Sequence, residues 1–458
     1  MTTLRPSPVP GSPTVLPPVE RRAAMPTGFR AGGLAAGIKA SGRPDLAVAV
    51  TTLGPAAVAA VFTPNTFAAA PVRLSRAHLA STSGDPRGGF GWASAVISTS
   101  GSANAATGEA GDEDQLKIAG WLADATGTTT DLTLHLSTGI IGTRLPLDLV
   151  RAGLGRLVPE LTASDAGLEA MADALRTTDT VTKVATTTAT LPDPDGRAVT
   201  VTVSGIAKGV GMIHPRMATM LALIVTDASA APPTLWGLLR PATARTWDQL
   251  SVDGDTSTND TVFVLASGAA GAAPIDDGSD EAAALGAAIE AVARDLARQQ
   301  AADGEGATTL IIAEVTGAVD DADARAVARA IVSSSLVKAA AHGRDPNWGR
   351  IAGAAGNART ADAAVLEAAG LPADEAAQRG GGPAALDSGR LRISIAGHPV
   401  FDGAHGGPLV FDREAARAAM DAPEVVITLD LGLGSGRGEA FGCDLTEQYV
   451  IENSEYTT

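Results

Sequence analysis

Cysteine is almost absent: Cys443 stands alone in 458 residues. That excludes an intrachain disulfide framework and a zinc site built on cysteine thiolates, and it fits a reducing compartment. Aromatic side chains make up only 3%, so a surface that stacks nucleic-acid bases is not expected. Basic residues are outnumbered, 34 against 51 acidic, for a net charge of −17. No Lys/Arg cluster of the kind that tracks phosphates offsets that balance, which argues against a nucleic-acid partner. Lysine itself is scarce, occurring only as Lys39, Lys117, Lys183, Lys208 and Lys338. Long apolar runs are missing as well. Stretches such as Met217 to Thr226 reach about half of the roughly 20 residues that a membrane-spanning helix needs. Residues 1–24 carry prolines and arginines but no continuous apolar segment of a secretory signal. They read as a flexible tail, and the chain as a soluble cytoplasmic protein without a membrane partner.

What remains is ordinary for a globular protein. Hydrophobic residues at 45% and charged residues at 19% supply a core, and the length fits one large domain or two ordinary ones. Runs rich in β-branched residues read as strands: Leu46 to Thr51, Ala95 to Thr99, Asp131 to Leu136, Val184 to Leu191, Ala198 to Val203, Met220 to Thr226 and Thr261 to Leu265. Thr308 to Val315, Arg390 to Ile395, Glu424 to Leu431 and Tyr449 to Glu452 extend the series. Pro192 to Gly196 places Pro, Asp and Gly where a hairpin turn wants them. Ser279, followed by Asp280 and Glu281, reads as the cap and acidic first turn of an Ala-rich helix running towards Arg298, and Ala322 to Ala341 as another helix. The mixture is α/β, with no repeat and no Gly/Ser linker to divide it.

Familiar catalytic motifs are missing. There is no G-x-x-x-x-G-K-[ST] phosphate loop, and Gly432 to Gly438 lacks the G-x-G-x-x-G spacing and reads as a turn. The six histidines fall in no H-E-x-x-H pattern, so no catalytic metal is expected. Asp253, Asp255 and Asp260 superficially suggest calcium but lack the glycine and terminal glutamate of an EF-hand; Asx turns account for them more simply. The most informative stretch is Gly205 to Met220, a Gly-rich loop carrying one of the few lysines, Lys208, and leading into a strand that opens with Thr219. By itself it reads as a connecting loop.

The loops taken together say more. Gly28-Phe29-Arg30-Ala31-Gly32-Gly33, Ser100 to Gly108, Ser137-Thr138-Gly139-Ile140-Ile141-Gly142, Thr177-Thr178-Asp179-Thr180 and Lys208 to Met220 occur in order. They are followed by Ser251 to Thr261, Gly304-Glu305-Gly306-Ala307-Thr308, Asp345 to Arg350, and Gly442 to Thr446 with the end at Thr458. This series resembles the ornithine acetyltransferase family, the bifunctional glutamate N-acetyltransferases of arginine biosynthesis. The resemblance implies a layered α/β/β/α core like that of N-terminal-nucleophile proteins, joined to a smaller α/β portion in the second half. It implies self-cleavage between Ala218 and Thr219, giving an α chain (25–218 after the tail) and a β chain (219–458), with two αβ pairs expected in a heterotetramer.

The chemistry implied is coherent. The Thr219 hydroxyl attacks the preceding carbonyl and water opens the resulting ester. Cleavage then frees an α-amine, with an ordinary pKa of about 7.7–8.0, that can deprotonate its own hydroxyl. The resemblance assigns the oxyanion hole to Thr138 and Gly139, and substrate contacts to Thr177, Lys208, Thr219, Glu305, Asn453 and Thr458. Lys208 suits a substrate carboxylate and Glu305 a substrate ammonium, against the plainer readings of an exposed loop charge and a turn residue. The partners implied are N-acetylornithine and glutamate; no cofactor is required, and the use of acetyl-CoA as a second donor is left open by the sequence. Thr309 and Ser102 depart from the residues frequent in the family (Lys and Asn), which bears on acceptor preference rather than on the nucleophile. The alternatives are a self-processing aminopeptidase or amidase using the same nucleophile, and a nonenzymatic assembly protein.

Overall fold

The structure, a computed structural model, describes residues 15–214 and 220–454. Two sheets packed face to face form the centre. One runs in the order Phe29–Leu34, Leu46–Thr51, Ala95–Ser102, Thr133–Ile140, its last two strands parallel and the others antiparallel. The other runs Phe90–Ala93, Ala56–Phe62, Thr261–Ala266, Leu221–Thr226, Ala198–Lys208, Lys183–Pro192, with only the Thr261–Ala266 and Leu221–Thr226 pair parallel.

Period-two alternation sorts the side chains into layers. In Leu46–Thr51, Ala47 and Ala49 face the six-stranded sheet, where they meet Val58, Leu223 and Phe263. Leu46, Val48 and Val50 point the other way, onto Ile118 and Leu122 of helix Gly108–Thr126 and Val150 and Leu154 of helix Leu147–Leu157. On the far side, Ala222, Ile224, Val262 and Val264 pack against Leu235 and Leu239 of helix Pro232–Arg245 and Leu285, Ile289 and Val292 of helix Asp280–Ala302. The result is helix, sheet, sheet, helix, as the resemblance implies. Leu223 is wholly buried between the sheets, where truncation to Ala would cost about 2–5 kcal/mol.

The second half adds a sheet in the order Leu250–Ser251, Gly436–Cys443, Leu310–Ala318, Glu424–Asp430, Arg392–Ile395, His398–Asp402, Gly407–Pro408. One face packs on helix Asp321–Val332 through Ile311, Val315 and Ile331. Ile312 and Phe441, from the other face, join the core around helix Asp280–Ala302. Arg294 of that helix pairs with the buried Glu439 at 2.5 Å, fastening this portion to the layered core.

Several expectations hold in detail. Ser279 Oγ accepts from the Ala282 N–H at 3.1 Å and caps the helix Asp280–Ala302. The Asp193 N–H donates to the Arg197 carbonyl at 2.7 Å and closes the hairpin, with Gly196 at φ 81. Others need correction. Residues 15–24 are not a free tail: Leu16, Val19 and Ala23 are buried, and Glu20 bridges to Thr186. Tyr449 to Glu452 lies in a helix, Glu447–Ser454, rather than a strand. The segment 322–341 is two helices, Asp321–Val332 and Ser335–His342, because Ser334 caps the second by accepting from the Val337 N–H. The turn read at 432–438 ends early, since Gly436 already belongs to a strand.

Candidate active site

The two sheets are not sealed at one end. There Ala198–Lys208 finishes, Thr133–Ile140 finishes, and the loops 177–180 and 251–260 approach. A cavity of about 270 Å³ opens between them, lined by Thr138, Gly139, Thr177, Lys208, Glu305 and Asn453 together with Thr178, Ser257, Thr258 and Asn259. Every described residue that the sequence points to for this site therefore borders one space. Ala218, Thr219 and Thr458 lie outside the described residues. The chain re-enters at Met220, whose N–H donates to Asp260 Oδ1 at 3.0 Å, and Leu221 opens the strand beside Lys208.

Gly139 is a glycine for a steric reason. Its φ is 132, and a Cβ there would stand 2.3 Å from the Gly101 carbonyl carbon and 2.6 Å from the Ser102 nitrogen. Only a residue without a side chain lets the two parallel strands close up at this point. Thr138, immediately before it, is buried, and its hydroxyl accepts from Lys208 Nζ at 3.1 Å.

Lys208 is a buried cation, and the acids around it are engaged elsewhere. Lys183, fully buried, takes Asp179 at 2.7 Å and Asp303 at 2.6 Å. Asp179 also accepts from the Gly209 N–H at 2.8 Å and the Thr177 N–H at 3.2 Å, which fixes the Thr177 loop to the end of the Lys208 strand. Burial pulls the Lys208 ammonium below its ordinary pKa, with Asp179 opposing the shift. Burial by itself would raise the Asp179 carboxyl, but Lys208 and Lys183 hold it well below the usual carboxylate range. Among the described residues no carboxylate lies within ion-pair distance of Lys208, although Asp179 and Glu305 bear on it from further off, so an anion arriving in the cavity can take the direct contact that no side chain takes.

Glu305 supplies the opposite charge. Thr178 Oγ1 and Asn453 Nδ2 each donate to its carboxylate at 2.9 Å, and its N–H donates to the Val210 carbonyl at 2.8 Å. Gly211 makes room: a Cβ there would sit 2.2 Å from Glu305 Oε2. Gly306, at φ 67, lets the helix bearing Asn453 approach, since a Cβ would meet the Tyr449 nitrogen at 2.4 Å.

The aspartates of the 251–260 loop behave as turn and anchor residues. Asp253 Oδ1 accepts from the Ile213 N–H at 2.9 Å and the Asp255 N–H at 3.2 Å. Among the described residues no group of three or more His, Cys, Asp or Glu is arranged to hold a metal ion.

The ArgJ family profile matches residues 30–458. The chain belongs to the ArgJ family. Arginine biosynthesis bifunctional protein ArgJ from Thermosynechococcus vestitus is 44% identical, over 94% of this chain and 96% of that protein. The protein of the same name from Thermus thermophilus is 43% identical over 95% and 99%. A solved structure of ornithine acetyltransferase complexed with ornithine, from Mycobacterium tuberculosis, shares 38% identity over 43% of this chain and 97% of that chain, with a TM-score of 0.37.

Within this ArgJ-family site, the sequence pointed to no role for Asn259 or Asp179, and to an Asx turn for Asp260. Asn259 lies beside the cavity with its amide donating to the Ser137 and Ala103 carbonyls at 2.8 and 2.7 Å. The signal available was Ser251 to Thr261 itself, a polar stretch next to a fully apolar strand. Polar residues in such a place stay buried only if a network satisfies them.

Proposed function

We propose that this ArgJ-family chain transfers acetyl from N-acetylornithine to glutamate, yielding ornithine and N-acetylglutamate, with Thr219 as the acetyl carrier. One observation supports this most directly: a buried lysine, Lys208, and a carboxylate, Glu305, border one cavity together with the Thr138–Gly139 strand end. Donor and acceptor are both amino acids, so both bring a carboxylate, and ornithine adds an ammonium. The single site can serve them in turn.

The precursor first cuts itself between Ala218 and Thr219: the hydroxyl displaces the amide nitrogen, and water hydrolyses the ester. In the mature site the Thr219 oxygen attacks the acetyl carbonyl while the α-amine takes the hydroxyl proton. Negative charge gathers on the acetyl oxygen, where Thr138 and Gly139 act as the oxyanion hole; losing one such donor typically costs about 10²–10³ in rate. The C–N bond breaks, and the proton passes to ornithine as it leaves. The glutamate amine then attacks the acetyl ester and restores the threonine hydroxyl. Thr177 and Asn453 border the substrate, with Thr458 as a further contact. The reaction as written needs no cofactor.

Intact mass spectrometry tests the sequence of events. N-acetylornithine alone should leave one acetyl group on the chain that begins at Thr219, and glutamate should remove it. Peptide hydrolysis indifferent to glutamate would point to an aminopeptidase, and an inert, uncut chain to an assembly role.

A further inference from the structure

Asn259 and Asp260 are neighbours in the loop that leads into strand Thr261–Ala266, and both are buried. They fasten different sheets. The Asn259 carboxamide crosses to the four-stranded sheet, donating to the Ser137 carbonyl at 2.8 Å and the Ala103 carbonyl at 2.7 Å. Its orientation is fixed by chemistry: Thr258 Oγ1 donates to the amide oxygen at 2.7 Å, and a flipped amide would set that oxygen against two carbonyls. Asp260 instead holds its own sheet. Its Oδ1 accepts from the Met220 N–H at 3.0 Å, and the Thr261 N–H donates to the Met220 carbonyl at 3.1 Å.

We propose that Asn259 and Asp260 are paired positioning residues that register the Thr138–Gly139 oxyanion strand end of one sheet against Met220, the residue that leads into the nucleophile strand, in the other. The inference rests on the acetyl-transfer reading above. Apolar packing between the sheets is strong but without direction, and leaves them free to slide by fractions of an ångström. A misplacement of about 1 Å can cost about 10² in rate. Two directional amide bonds from Asn259 stop that sliding at the point where it would matter. One of them lands on the Ser137 carbonyl, whose peptide also carries the Thr138 N–H, so the bond polarises that N–H towards stronger donation.

The second oxygen of Asp260, Oδ2, makes no hydrogen bond of good geometry among the described residues, with Ser257 beside the carboxyl. Ser257 and Met220 are its polar neighbours, and Lys208 the cation facing it; Asp179, Lys183 and Glu305 in turn face Lys208. Burial pushes the Asp260 carboxyl well above its ordinary pKa. Asn at position 260 keeps an Oδ1 that can accept from the Met220 N–H, whereas Ala does not, which separates the effect of Asp260→Asn from that of Asp260→Ala.

The experiment uses the full chain with wild type in parallel. Acetylation of the β chain by N-acetylornithine is followed by rapid quenching, and ornithine affinity by calorimetry. Asn259→Ala and Asp260→Ala should each slow acetylation by about 30-fold or more while ornithine affinity stays within about threefold, and Asp260→Asn should stay within about fivefold of wild type. The inference is overturned if Asn259→Ala acetylates normally, or if acetylation and ornithine binding fall together. Should Asn259→Ala fail to fold, the Asp260 pair decides: equal rates in the Ala and Asn variants overturn the proposal, and rescue by Asn sustains it. Wild type that takes up no acetyl would instead sink the acetyl-transfer reading itself.

Discussion

Lys208 Nζ lies 3.1 Å from Thr138 Oγ1, so the buried lysine at the end of one sheet touches the Thr138–Gly139 strand end of the other. In the proposed reaction that contact would bring the substrate carboxylate and the reacting carbonyl within one side chain of each other. The arrangement depends on Lys183, which occupies Asp179 and Asp303 and leaves Lys208 without a carboxylate in ion-pair distance among the described residues. A buried charge in that state is costly until a ligand completes it.

Replacing that charge should therefore act on binding. Lys208→Met should weaken N-acetylornithine and glutamate by about 1.5–3 kcal/mol each, the loss expected for a charged hydrogen bond. Steady-state kinetics with each substrate varied would show raised KM values. Unchanged KM and kcat would return Lys208 to a purely structural role.

Processing gives a second outcome to check. Wild type should resolve into chains 1–218 and 219–458, and Thr219→Ala should remain one chain because the attacking oxygen is gone. Thr219→Ser keeps that oxygen and should still cut. N-terminal sequencing that finds no free Thr219 in wild type would defeat the mechanism.

The strands of the core were legible in the sequence because they carry their signal locally, Leu46–Thr51 and Leu221–Thr226 being apolar up to their closing threonines, whereas their layering came only with the family resemblance. Gly436–Cys443 was not legible, since GRGEAFGC contains three glycines and two charges. It becomes a strand through its neighbours: a Cβ at Gly438 would stand 2.6 Å from the Arg325 nitrogen, so glycine admits a helix against the sheet. Tyr449 to Glu452 looked like a strand from composition, but its context is a helix beside Gly306. At the site, Lys208 and Glu305 could be picked out by charge in Gly-rich loops. The buried amide of Asn259 could not, because its role lies in contacts with Ser137 and Ala103, more than 100 residues away in sequence.

Gly211 offers a test of Glu305 that leaves Glu305 in place. A Cβ at position 211 would stand 2.2 Å from Glu305 Oε2, the far end of a flexible side chain. Gly211→Ala should thus push the carboxylate aside at little cost to folding, and raise the KM for N-acetylornithine as Glu305→Gln does, by about tenfold or more. A normal KM in Gly211→Ala beside a raised one in Glu305→Gln would show that the carboxylate tolerates the shift. Normal values in both would remove Glu305 from substrate binding.

His135 predicts a pH dependence of stability that is independent of catalysis. The ring is wholly buried, with Nδ1 2.9 Å from Gln115 Nε2 and Nε2 3.1 Å from Thr133 Oγ1. Gln115 Oε1 is taken by Asn104 Nδ2, so its amide hydrogens face His135, and Thr133 Oγ1 already donates to the Thr130 carbonyl. Nδ1 must accept and Nε2–H must donate, which fixes the neutral ring; a second proton would set N–H against N–H. Burial, with His78 nearby, lowers the pKa to about 3. The unfolded chain binds this proton near the ordinary value of about 6.5. Between those pH values the unfolded state holds more protons, so stability is complete above about pH 6.5 and falls as pH drops towards 3. One such proton contributes about 1.4 kcal/mol per pH unit well inside that window. His78, also lowered by burial, adds in the same direction, whereas a carboxylate depressed like Asp179 loses its contribution only below its ordinary pKa of about 4. A raised carboxyl such as Asp260 opposes this trend, but equally in wild type and variant, so urea unfolding at pH 7 and pH 5 should show the change in stability on going to pH 5 less favourable in wild type than in His135→Asn, which is itself weaker at pH 7. Equal changes in both proteins would mean that His135 is protonated in the fold.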